Sequence, residues 1–377
     1  MKSVLFFIEC LDHGGAEKIL TNIVKYLDKS KYNITVVSET DNEFHTEDIK
    51  AHAKHRCFVR QKNNKSKIGR LINKLIIKFS LIAPPVLVRQ LLIRGKYDIE
   101  IAFCEGYATR IIGSSKNKKS KKIAWVHTDV VNHPWSETVF GSKRRELQCY
   151  EKFDQIVCVS NTILDSFESK YGLTDKTQVL YNLIDYQSIV KKATSSPQKA
   201  NDSLPSFILI GSFKKIKGYD RFIDVCHKLF NEGYTFNITI MGSGPEYQNI
   251  SQKISLLRLG TQITLMQYQS NPYKHLSKSD ALICCSYAEG YSSVVCESII
   301  LGIPVIATDC SGMKEIFGDK KCGIICPNSF DGLYQALKSV LDNPEILIEF
   351  SESAKQRSEY FRTEKRIKDI ETLLYNL

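Results

Sequence analysis

DALICCSYAEGYSSVVCESIILGIPVIATD, residues 280–309, contains two short apolar runs on either side of a segment with helical spacing. The runs ALICC and PVIA are continuously apolar rather than alternating, which is typical of strands buried on both faces. Similar runs occur in SFILIGS (206–212), FNITIMGSG (236–244), ITLMQY (263–268) and GIICP (323–327). Strands of this kind, separated by helices, predict an α/β domain with a parallel sheet.

The first half of the chain repeats this alternation. Its strand-like runs are VLFFIE (4–9), NITVVS (33–38), DIEIAF (98–103), KIAWVH (122–127) and QIVCVS (155–160). Residues 191–206 are polar and rich in Ser, Lys and Pro, which indicates an interdomain linker. We therefore predict two tandem Rossmann-like, doubly wound domains, residues 1–190 and 207–356, with a ligand cleft between the carboxyl ends of their strands. The C-terminal helix, about residues 357–377, is expected to pack back on the first domain.

Composition and charge narrow the class of protein. The chain has 377 residues, of which 43% are hydrophobic and 25% charged, and this excludes collagen-like, coiled-coil and largely disordered proteins. The formal charge is +11. Most of the excess lies in residues 1–185, so the first half suits an anionic partner.

The cysteines and the N-terminus bear on location. The 12 cysteines include no CxxC pair and lie mostly in apolar runs, as expected of reduced thiols in a cytosolic protein. Glu9 and Asp12 closely follow the apolar N-terminal run, which favours a first strand over a signal peptide. No apolar run reaches the ~18 residues needed to span a bilayer, so we expect a cytoplasmic protein, either soluble or peripheral to the membrane.

Two basic stretches account for much of the positive charge. Residues 61–97 contain nine Lys or Arg and no Asp or Glu, and residues 115–122 add five lysines. Leu71, Leu75 and Phe79 fall at helical spacing in the first stretch, which could lie on an anionic membrane leaflet. The alternative is a solvated helix of the first domain. Nucleic acid is a poorer partner because the stretches lack interleaved aromatic residues and any finger or RNA-binding signature.

Glu289 and Glu297 are separated by seven residues within the opening stretch. Ser292 and Ser293 are N-cap types, and the N–H groups at a helix start suit a phosphate. Glu297, about one turn into the helix, could accept two hydrogen bonds from a vicinal diol such as ribose, and Glu289 could reach a sugar hydroxyl. The alternative is one solvated glutamate and one capping-type glutamate, and the spacing alone leaves both open.

Eight sequence blocks occur in a fixed order along the chain. They are HGGAEK (13–18), WVHTD (125–129), VCVSNT (157–162), VLYNLID (179–185), IGSFKKIKG (210–218), MGSGPE (241–246), SYAEGYSSVVCE (286–297) and LGIPVIATDCSGMKEI (301–316). Together they resemble the retaining glycosyltransferases of family four, the group 1 glycosyl transferases, over nearly the whole chain. The blocks GxGxE and GGAE are weak individually, whereas E-x7-E with its GxPVIATD sequel is specific. The resemblance implies the GT-B fold.

The resemblance also implies roles for residues at matching positions. Lys217 would bind the donor diphosphate, Glu289 would bind the donor-sugar hydroxyls, and His127 would lie beside that sugar; these three are the catalytic candidates. The remaining residues implied in donor binding are Gly14, Gly15, Ser212, Gly242, Gly244, Met266, Ser292, Ser293, Val294 and Glu297. Met266 and its neighbours would contact the base, mostly through the backbone.

The chain departs from the family pattern at Ser212, where an Arg is usual. This removes one cation and its bidentate fork, and Lys214 or Lys215 could partly replace it. No D-x-D motif follows a strand, and the resemblance implies a reaction without a metal or other cofactor. Cationic side chains and a helix N-terminus would instead neutralise the leaving group.

The resulting expectation is a metal-independent enzyme that transfers a sugar, with retention, from a nucleotide sugar. UDP is the expected nucleotide, and the acceptor would be a lipid-linked or growing glycan in bacterial capsule, O-antigen or exopolysaccharide assembly. A phosphate-bearing lipid acceptor at the inner face of the plasma membrane would account for the basic first half. The alternative is a binding subunit that regulates a partner transferase, which Ser212 supports. A nucleotide-sugar epimerase is disfavoured because such enzymes lack this E-x7-E sequel.

Overall fold

The structure is a computed structural model that describes residues 1–61, 66–194 and 204–377. It divides into two compact units: Met1–Leu183 with Arg366–Leu377, and Ile184–Lys365. Each unit is built on one parallel sheet. The prediction of two Rossmann-like α/β domains is confirmed. Lys62 and Lys65 of the basic stretch, and residues 195–203 of the predicted linker, lie outside the described residues.

In its described residues, the first unit contains a seven-stranded sheet and eight helices before its chain leaves for the second unit. The strands are β1 (Lys2–Phe7), β2 (Tyr32–Thr40), β3 (Lys54–Val59), β4 (Ile99–Ala102), β5 (Lys121–Val126), β6 (Gln155–Cys158) and β7 (Thr177–Val179). The helices are α1 (Gly15–Tyr26), α2 (Thr46–His52), α3 (Lys67–Ile82), α4 (Pro85–Leu91), α5 (Tyr107–Gly113), α6 (Glu137–Phe140), α7 (Lys143–Tyr150) and α8 (Asn161–Tyr171). The strand order is β3-β2-β1-β4-β5-β6-β7.

Central and edge strands of this sheet differ in sequence. Val4 to Phe7 of β1 are fully buried, as continuous hydrophobicity predicts for a strand covered on both faces. The edge strands β3 (KHRCFV) and β7 (TQV) were not predicted. They are partly exposed and polar because an edge strand has a neighbour on one side only.

Outside residues 195–203, which the structure does not describe, the second unit contains a six-stranded sheet. Its strands are β8 (Ser206–Ile210), β9 (Asn237–Gly242), β10 (Ile263–Gln267), β11 (Ala281–Cys284), β12 (Val305–Thr308) and β13 (Gly323–Cys326). The helices are α9 (Tyr186–Ala193), α10 (Tyr219–Asn231), α11 (Tyr247–Leu256), α12 (Tyr273–Leu276), α13 (Ser293–Ile300), α14 (Met313–Phe317), α15 (Phe330–Asp342), α16 (Ile346–Ser358) and α17 (Thr363–Asn376). The strand order is β10-β9-β8-β11-β12-β13, so the order reverses between β8 and β11.

The boundary between the units lies earlier than the predicted linker at 191–206. α9 begins at Tyr186 with Asp185 as its N-cap, whose side chain accepts from Ser188 N, and it packs against α12 and α13. The polar composition of residues 191–194 is misleading, because this amphipathic helix buries Ile189 and Ala193 while its lysines face outward.

α17 is shared between the two units, because Arg366–Leu377 belongs to the first. Ile370 and Leu374 are buried there. Lys2 Nζ donates to the carbonyls of Leu374 (2.9 Å) and Tyr375 (2.8 Å), and Glu371 Oε1 accepts from Asp28 N at 2.9 Å. The first unit is therefore completed by residues that follow the whole of the second.

Candidate active site

The two strands at the reversal point of the second sheet each end in a loop with a charged side chain. Lys217 follows β8 and Glu289 follows β11, and Lys217 Nζ donates to Glu289 Oε1 over 2.6 Å. The side chains are 25% and 11% exposed, respectively. Ligands of open α/β sheets bind outside the carboxyl ends of strands at such a point. Two of the three catalytic candidates are thus in direct contact where a ligand is expected.

Gly218 lets the Lys217 loop approach β11. A 3-10 turn, Lys215–Lys217, ends at Gly218, which has a left-handed φ of +67°. A Cβ at this position would overlap the carbonyl oxygen of Cys285. Tyr287 N donates to Ile216 O at 2.8 Å, which fixes the same approach. The Lys-Gly pair therefore combines a charge with the backbone freedom that brings it to Glu289.

Ser286 orients Glu289 from the other side. Its hydroxyl donates to Glu289 Oε1 at 2.6 Å. Its carbonyl accepts from Thr308 Oγ1 at 2.6 Å and from Cys310 Sγ at 3.1 Å. Ser286 was not predicted from the sequence, although a serine three residues before Glu289, at the end of a strand, was an available signal.

The Lys217 ammonium group stays charged at neutral pH. Burial, the largest single influence, would lower the pKa of Lys217. The charge and hydrogen bond of Glu289, together with the nearby Cys284 and Cys285, act in the other direction, and the net pKa is raised. A permanent point charge on a flexible stem suits a diphosphate.

The start of α13 lies on the same loop as Glu289. Ser292 occupies the N-cap position, but its side chain makes no capping hydrogen bond. Ser293 and Val294 in the first turn are partly exposed, so their N–H groups can face an anion. Glu297 lies within α13 and is almost fully buried, so its carboxylate is less accessible than that of Glu289.

Close packing between two loops explains the glycines at the end of β9. Gly242 ends β9, and a Cβ there would overlap the carbonyl oxygen of Gly211. Phe213 N donates to Ser243 O at 2.7 Å, so the loop that contains Gly244 is bonded to the loop after β8. Their implied role in nucleotide binding stays a prediction.

The other residues of the second unit that were predicted to bind the sugar donor lie on the loop after β8 or on the edge strand β10. Ser212 is half-buried in the loop after β8, while Lys214 and Lys215 are exposed. Met266 lies on the edge strand β10, in register with Met241 of β9, and not on the loop after it.

Arg221 is a second cation beside this loop, and the sequence analysis missed it. Its Nη2 donates to Cys285 O and to Asn328 Oδ1, both at 2.9 Å. Its guanidinium also stacks on the Tyr287 ring, 4.1 Å from the centroid. These contacts brace the end of β11.

His127 follows β5 of the first unit. Its Nε2 lies 2.9 Å from Phe103 O, and because a carbonyl only accepts, Nε2 carries the proton. Burial lowers the pKa of His127 to about 4, so the ring is neutral at pH 7. Nδ1 is then an acceptor that suits a hydroxyl group.

Glu105 follows β4 and fixes the His127 loop. It is 2% exposed, and its Oε1 accepts from His127 N (2.6 Å), Thr128 N (2.6 Å) and Thr128 Oγ1 (2.9 Å). Burial raises the pKa of Glu105. Glu105 was not predicted from the sequence, although AFCEG places an acid shortly after a buried strand.

Glu9 and the Gly14–Gly15 pair follow β1. Glu9 Oε1 accepts from Ala108 N at 2.9 Å, and burial raises the pKa of Glu9 to about 7. Gly14 is the N-cap of α1, and the Glu17 carboxylate lies over it. A phosphate approaching Gly14 and Gly15 would therefore meet this carboxylate.

In the described part of the chain, no group of three or more His, Cys, Asp or Glu could hold a metal ion.

Two family models match the chain in succession. The model described as Glycosyltransferase Family 4 matches residues 13–188, and that described as Glycosyl transferases group 1 matches residues 190–357. Together they cover nearly the whole chain, which therefore belongs to the family-four glycosyltransferases. The resemblance inferred from the eight blocks is confirmed, and the fold class is GT-B.

Curated relatives include enzymes of known reaction. One is the Campylobacter jejuni N-acetylgalactosamine-N,N'-diacetylbacillosaminyl-diphospho-undecaprenol 4-alpha-N-acetylgalactosaminyltransferase, 28% identical over 224 residues, or 58% of this chain and 60% of that enzyme. Another is the Bacillus anthracis N-acetyl-alpha-D-glucosaminyl L-malate synthase, 25% identical over 291 residues, or 74% and 73% of the two chains. An uncharacterized glycosyltransferase of Haemophilus influenzae is 22% identical over 99% of this chain and 100% of its own.

Solved structures show the same fold. The crystal structure of Anabaena HepE in complex with UDP-glucose superposes with a TM-score of 0.78 at 16% identity, covering 100% of both chains. The S. aureus TarM structure in complex with fondaparinux, alpha-GlcNAc-glycerol and UDP gives 0.74 at 14% identity, covering 99% of each.

Proposed function

We propose that this protein is a retaining glycosyltransferase that moves a sugar from a nucleotide sugar to a lipid-linked or growing glycan in cell-surface polysaccharide assembly. The observation that carries the proposal is the 2.6 Å contact between Lys217 and Glu289 at the reversal point of the second sheet. A fixed cation and a fixed carboxylate side by side suit a ligand that has a diphosphate next to a polyhydroxylated ring.

Donor binding exchanges one set of contacts for another. Without a ligand, Lys217 and Glu289 compensate each other's charge. A bound diphosphate would take Lys217 and the N–H groups at the start of α13, and the donor-sugar hydroxyls would take Glu289. UDP is the favoured nucleotide, because HepE and TarM have structures in complex with UDP or UDP-glucose.

A lipid-linked acceptor is supported by two observations. The name of the Campylobacter relative specifies a diphospho-undecaprenol acceptor, although the alignment spans only 60% of that enzyme. The basic first half of this chain suits an acceptor that has phosphate groups at a membrane surface. The reaction would then take place at the inner face of the plasma membrane.

Retention would proceed by attack on the same face of the sugar. The donor C1–O bond breaks first in an oxocarbenium-like state, the acceptor oxygen forms the new bond, and the leaving phosphate takes the acceptor proton. Lys217 stabilises the negative charge on that phosphate, so we propose that no divalent metal is required. Neutral His127 would accept a hydrogen bond from a donor-sugar hydroxyl through Nδ1.

Thermal-shift binding and turnover of the purified protein test the proposal. A nucleotide sugar at about 100 times its dissociation constant should stabilise the protein by ~2.7 kcal/mol. Glu289→Gln and Lys217→Met should each lower turnover by about 10²-fold or more while the fold is kept. Glu352→Gln, which removes a carboxylate from the exposed pair with Lys355, is the matched control and should have no effect.

Four results would contradict parts of the proposal. Undiminished turnover by Glu289→Gln would remove the catalytic assignment. Turnover that appears only after a partner transferase is added would favour a regulatory subunit. An inverted anomer in the NMR spectrum of the product, or loss of turnover in EDTA, would overturn the retaining or the metal-independent mechanism.

A further inference from the structure

α3 packs on the first unit with its polar side. Its buried residues are Gly69, Asn73 and Ser80. Asn73 Nδ2 donates to Arg60 O at 3.0 Å, and Ser80 O accepts from Tyr107 OH at 2.8 Å. A helix on the surface of a globular protein normally turns its apolar side to the core and its polar side to water. α3 does the reverse.

The outward side of α3 is apolar. Ile68, Leu71, Leu75 and Ile82 are 73%, 59%, 58% and 71% exposed. Their spacings of three, four and seven residues place them along one side of the helix. Isolated exposed apolar residues are ordinary, but a row of them on a helix that buries Gly69, Asn73 and Ser80 instead indicates an interaction surface. We call this row the apolar side of α3.

A basic row runs beside the apolar side. Lys67, Arg70, Lys74 and Lys78 are exposed and again three or four residues apart. No Asp or Glu occurs between residues 61 and 97, so α3 itself offers no carboxylate to these cations. The partner that fits is therefore both apolar and negatively charged.

α3 and His127 both lie at the carboxyl ends of the strands of the first sheet. Arg60, which accepts from Asn73, directly follows β3, and Tyr107, which donates to Ser80 O, is two residues beyond Glu105. Both are at the carboxyl ends of parallel strands, where Glu105 fixes the His127 loop. A membrane under α3 would present a lipid-linked acceptor at the edge that contains His127.

We propose that the apolar side of α3 inserts into the interface of an anionic bilayer, with the basic row on the lipid phosphates. A second copy of this chain fits less well, because two basic rows would face each other. The functional reason for membrane docking depends on the proposed lipid-linked acceptor. The evidence for the docking surface comes from the residues of α3 alone.

The structure also narrows the basic surface expected from the sequence. Arg89 is buried, and its Nη2 donates to Glu100 Oε1 at 2.8 Å, so it does not contribute to a surface. Residues 115–122 lead into β5 at the amino ends of the strands, whereas α3 lies near their carboxyl ends. The proposed surface therefore excludes Arg89 and residues 115–122.

Vesicle co-sedimentation of the full chain tests the apolar side. The probes are vesicles of phosphatidylcholine alone and of phosphatidylcholine with phosphatidylglycerol. Leu71→Ser combined with Leu75→Ser should weaken binding to the anionic vesicles by about tenfold or more. The control, Leu256→Ser combined with Ile348→Ser, changes two aliphatic residues of the second unit that are 75% and 67% exposed. It should bind vesicles as the unchanged protein does.

The basic row is tested separately. Lys74→Gln combined with Lys78→Gln should weaken anionic-vesicle binding by about fivefold per charge, and added salt should act in the same direction. Binding to phosphatidylcholine alone should be much weaker for every variant. Thermal unfolding temperatures should stay unchanged, because all six substituted residues are exposed.

Two outcomes would overturn the docking surface. One is vesicle binding by the Leu71→Ser, Leu75→Ser protein equal to that of the unchanged protein. The other is a dimer that this double variant converts to a monomer while neither protein binds vesicles. UDP binding and turnover with a water-soluble acceptor are measured on the same samples. Vesicle binding without turnover would contradict the proposed enzymatic function but not the docking surface. Turnover without vesicle binding would contradict the docking surface but not the proposed function.

Discussion

Two carboxylates, one in each unit, receive several hydrogen bonds on a single oxygen. Glu289 Oε1 accepts from Lys217 and Ser286, each at 2.6 Å, and Glu105 Oε1 accepts three hydrogen bonds from His127 and Thr128. A carboxylate held in this way is fixed in position before a ligand binds, which is what a preorganised site requires.

Glu105 is expected to act as a positioning residue for His127. Glu105→Ala leaves two backbone N–H groups and a hydroxyl without their acceptor and should destabilise the first unit by about 2–4 kcal/mol. Glu105→Gln retains a carbonyl oxygen at Oε1 and should stay close to the unchanged protein in stability. Urea unfolding followed by tryptophan fluorescence checks this, because Trp125 and Trp135 both lie in the first unit.

A readout at His127 separates positioning from stability alone. The imidazole resonances of His127 should shift in Glu105→Ala and stay in place in Glu105→Gln. A common spectrum for all three proteins would show that Glu105 does not orient His127.

Glu9 should make the first unit less stable as pH rises. Its pKa is raised by burial from 4.5 to about 7, so between these values the folded state binds more protons than the unfolded state. The free energy of unfolding should therefore fall, by up to about 3 kcal/mol, as pH increases through this range. Glu9→Gln lacks this ionisation and should not show that decline.

The measurement is urea unfolding of both proteins at several pH values. His127, whose lowered pKa favours stability at higher pH, is present in both and cancels in the difference. Glu151→Gln, at an exposed position, is the control and should follow the unchanged protein. A Glu9→Gln curve parallel to the unchanged one would contradict the raised pKa.

At the scale of elements, short loops place the functional groups, and glycine allows their close approach. Gly218 combines a left-handed backbone with direct contact to the carbonyl of Cys285. Gly233 in the same unit has a φ of +93°, but a Cβ there would meet nothing within 4 Å. Substitutions at the two positions can therefore be compared to separate the cost of a left-handed backbone from the cost of steric overlap.

Gly218→Ala should be more disruptive than Gly233→Ala. The left-handed backbone alone costs about 1–2 kcal/mol, which is the effect expected for Gly233→Ala. Gly218→Ala adds the overlap with Cys285 O, for a total of about 3 kcal/mol or more, and should displace Lys217. Far-UV circular dichroism in urea gives the stability, and the UDP thermal shift reports the site; equal effects of the two variants on both would contradict this account.

The sequence predicted the elements that depend on local pattern and missed those that depend on neighbours. All six strands of the second sheet, including its edge strands β10 and β13, were found from continuous apolar runs. The edge strands β3 (KHRCFV) and β7 (TQV) of the first sheet were missed because their polar residues interrupt such a run. Lys217 and Glu289 were singled out by the sequence blocks. Their direct contact was not predicted, because it depends on how two loops distant in sequence meet.

At the scale of the whole molecule, the two sheets share one plan. In each, the first strand lies at the centre, the second and third extend to one side, and the fourth begins the other side. Glu9 and Glu105 follow the first and fourth strands of one sheet, and Lys217 and Glu289 follow those of the other. Charged groups thus occur at the reversal point of both sheets.

The shared helix α17 should be essential to the first unit. Leu374 is fully buried there, so Leu374→Ala should lower the stability of the first unit by about 2–5 kcal/mol. Ile348→Ala, at an exposed position of α16, should change it by less than about 0.5 kcal/mol. Tryptophan fluorescence in urea measures both, and equal midpoints would show that α17 does not support the first unit.

The path of α17 sets an order of events during translation. The ribosome makes residues 366–377 only after the whole of the second unit, so at about 5–20 residues per second the nascent first unit waits roughly 10–40 s for its last helix. Throughout that interval the surface later covered by Ile370 and Leu374 is open to chaperones and to aggregation. A nonsense mutation at the start of this segment would therefore damage the part of the protein that was synthesised first.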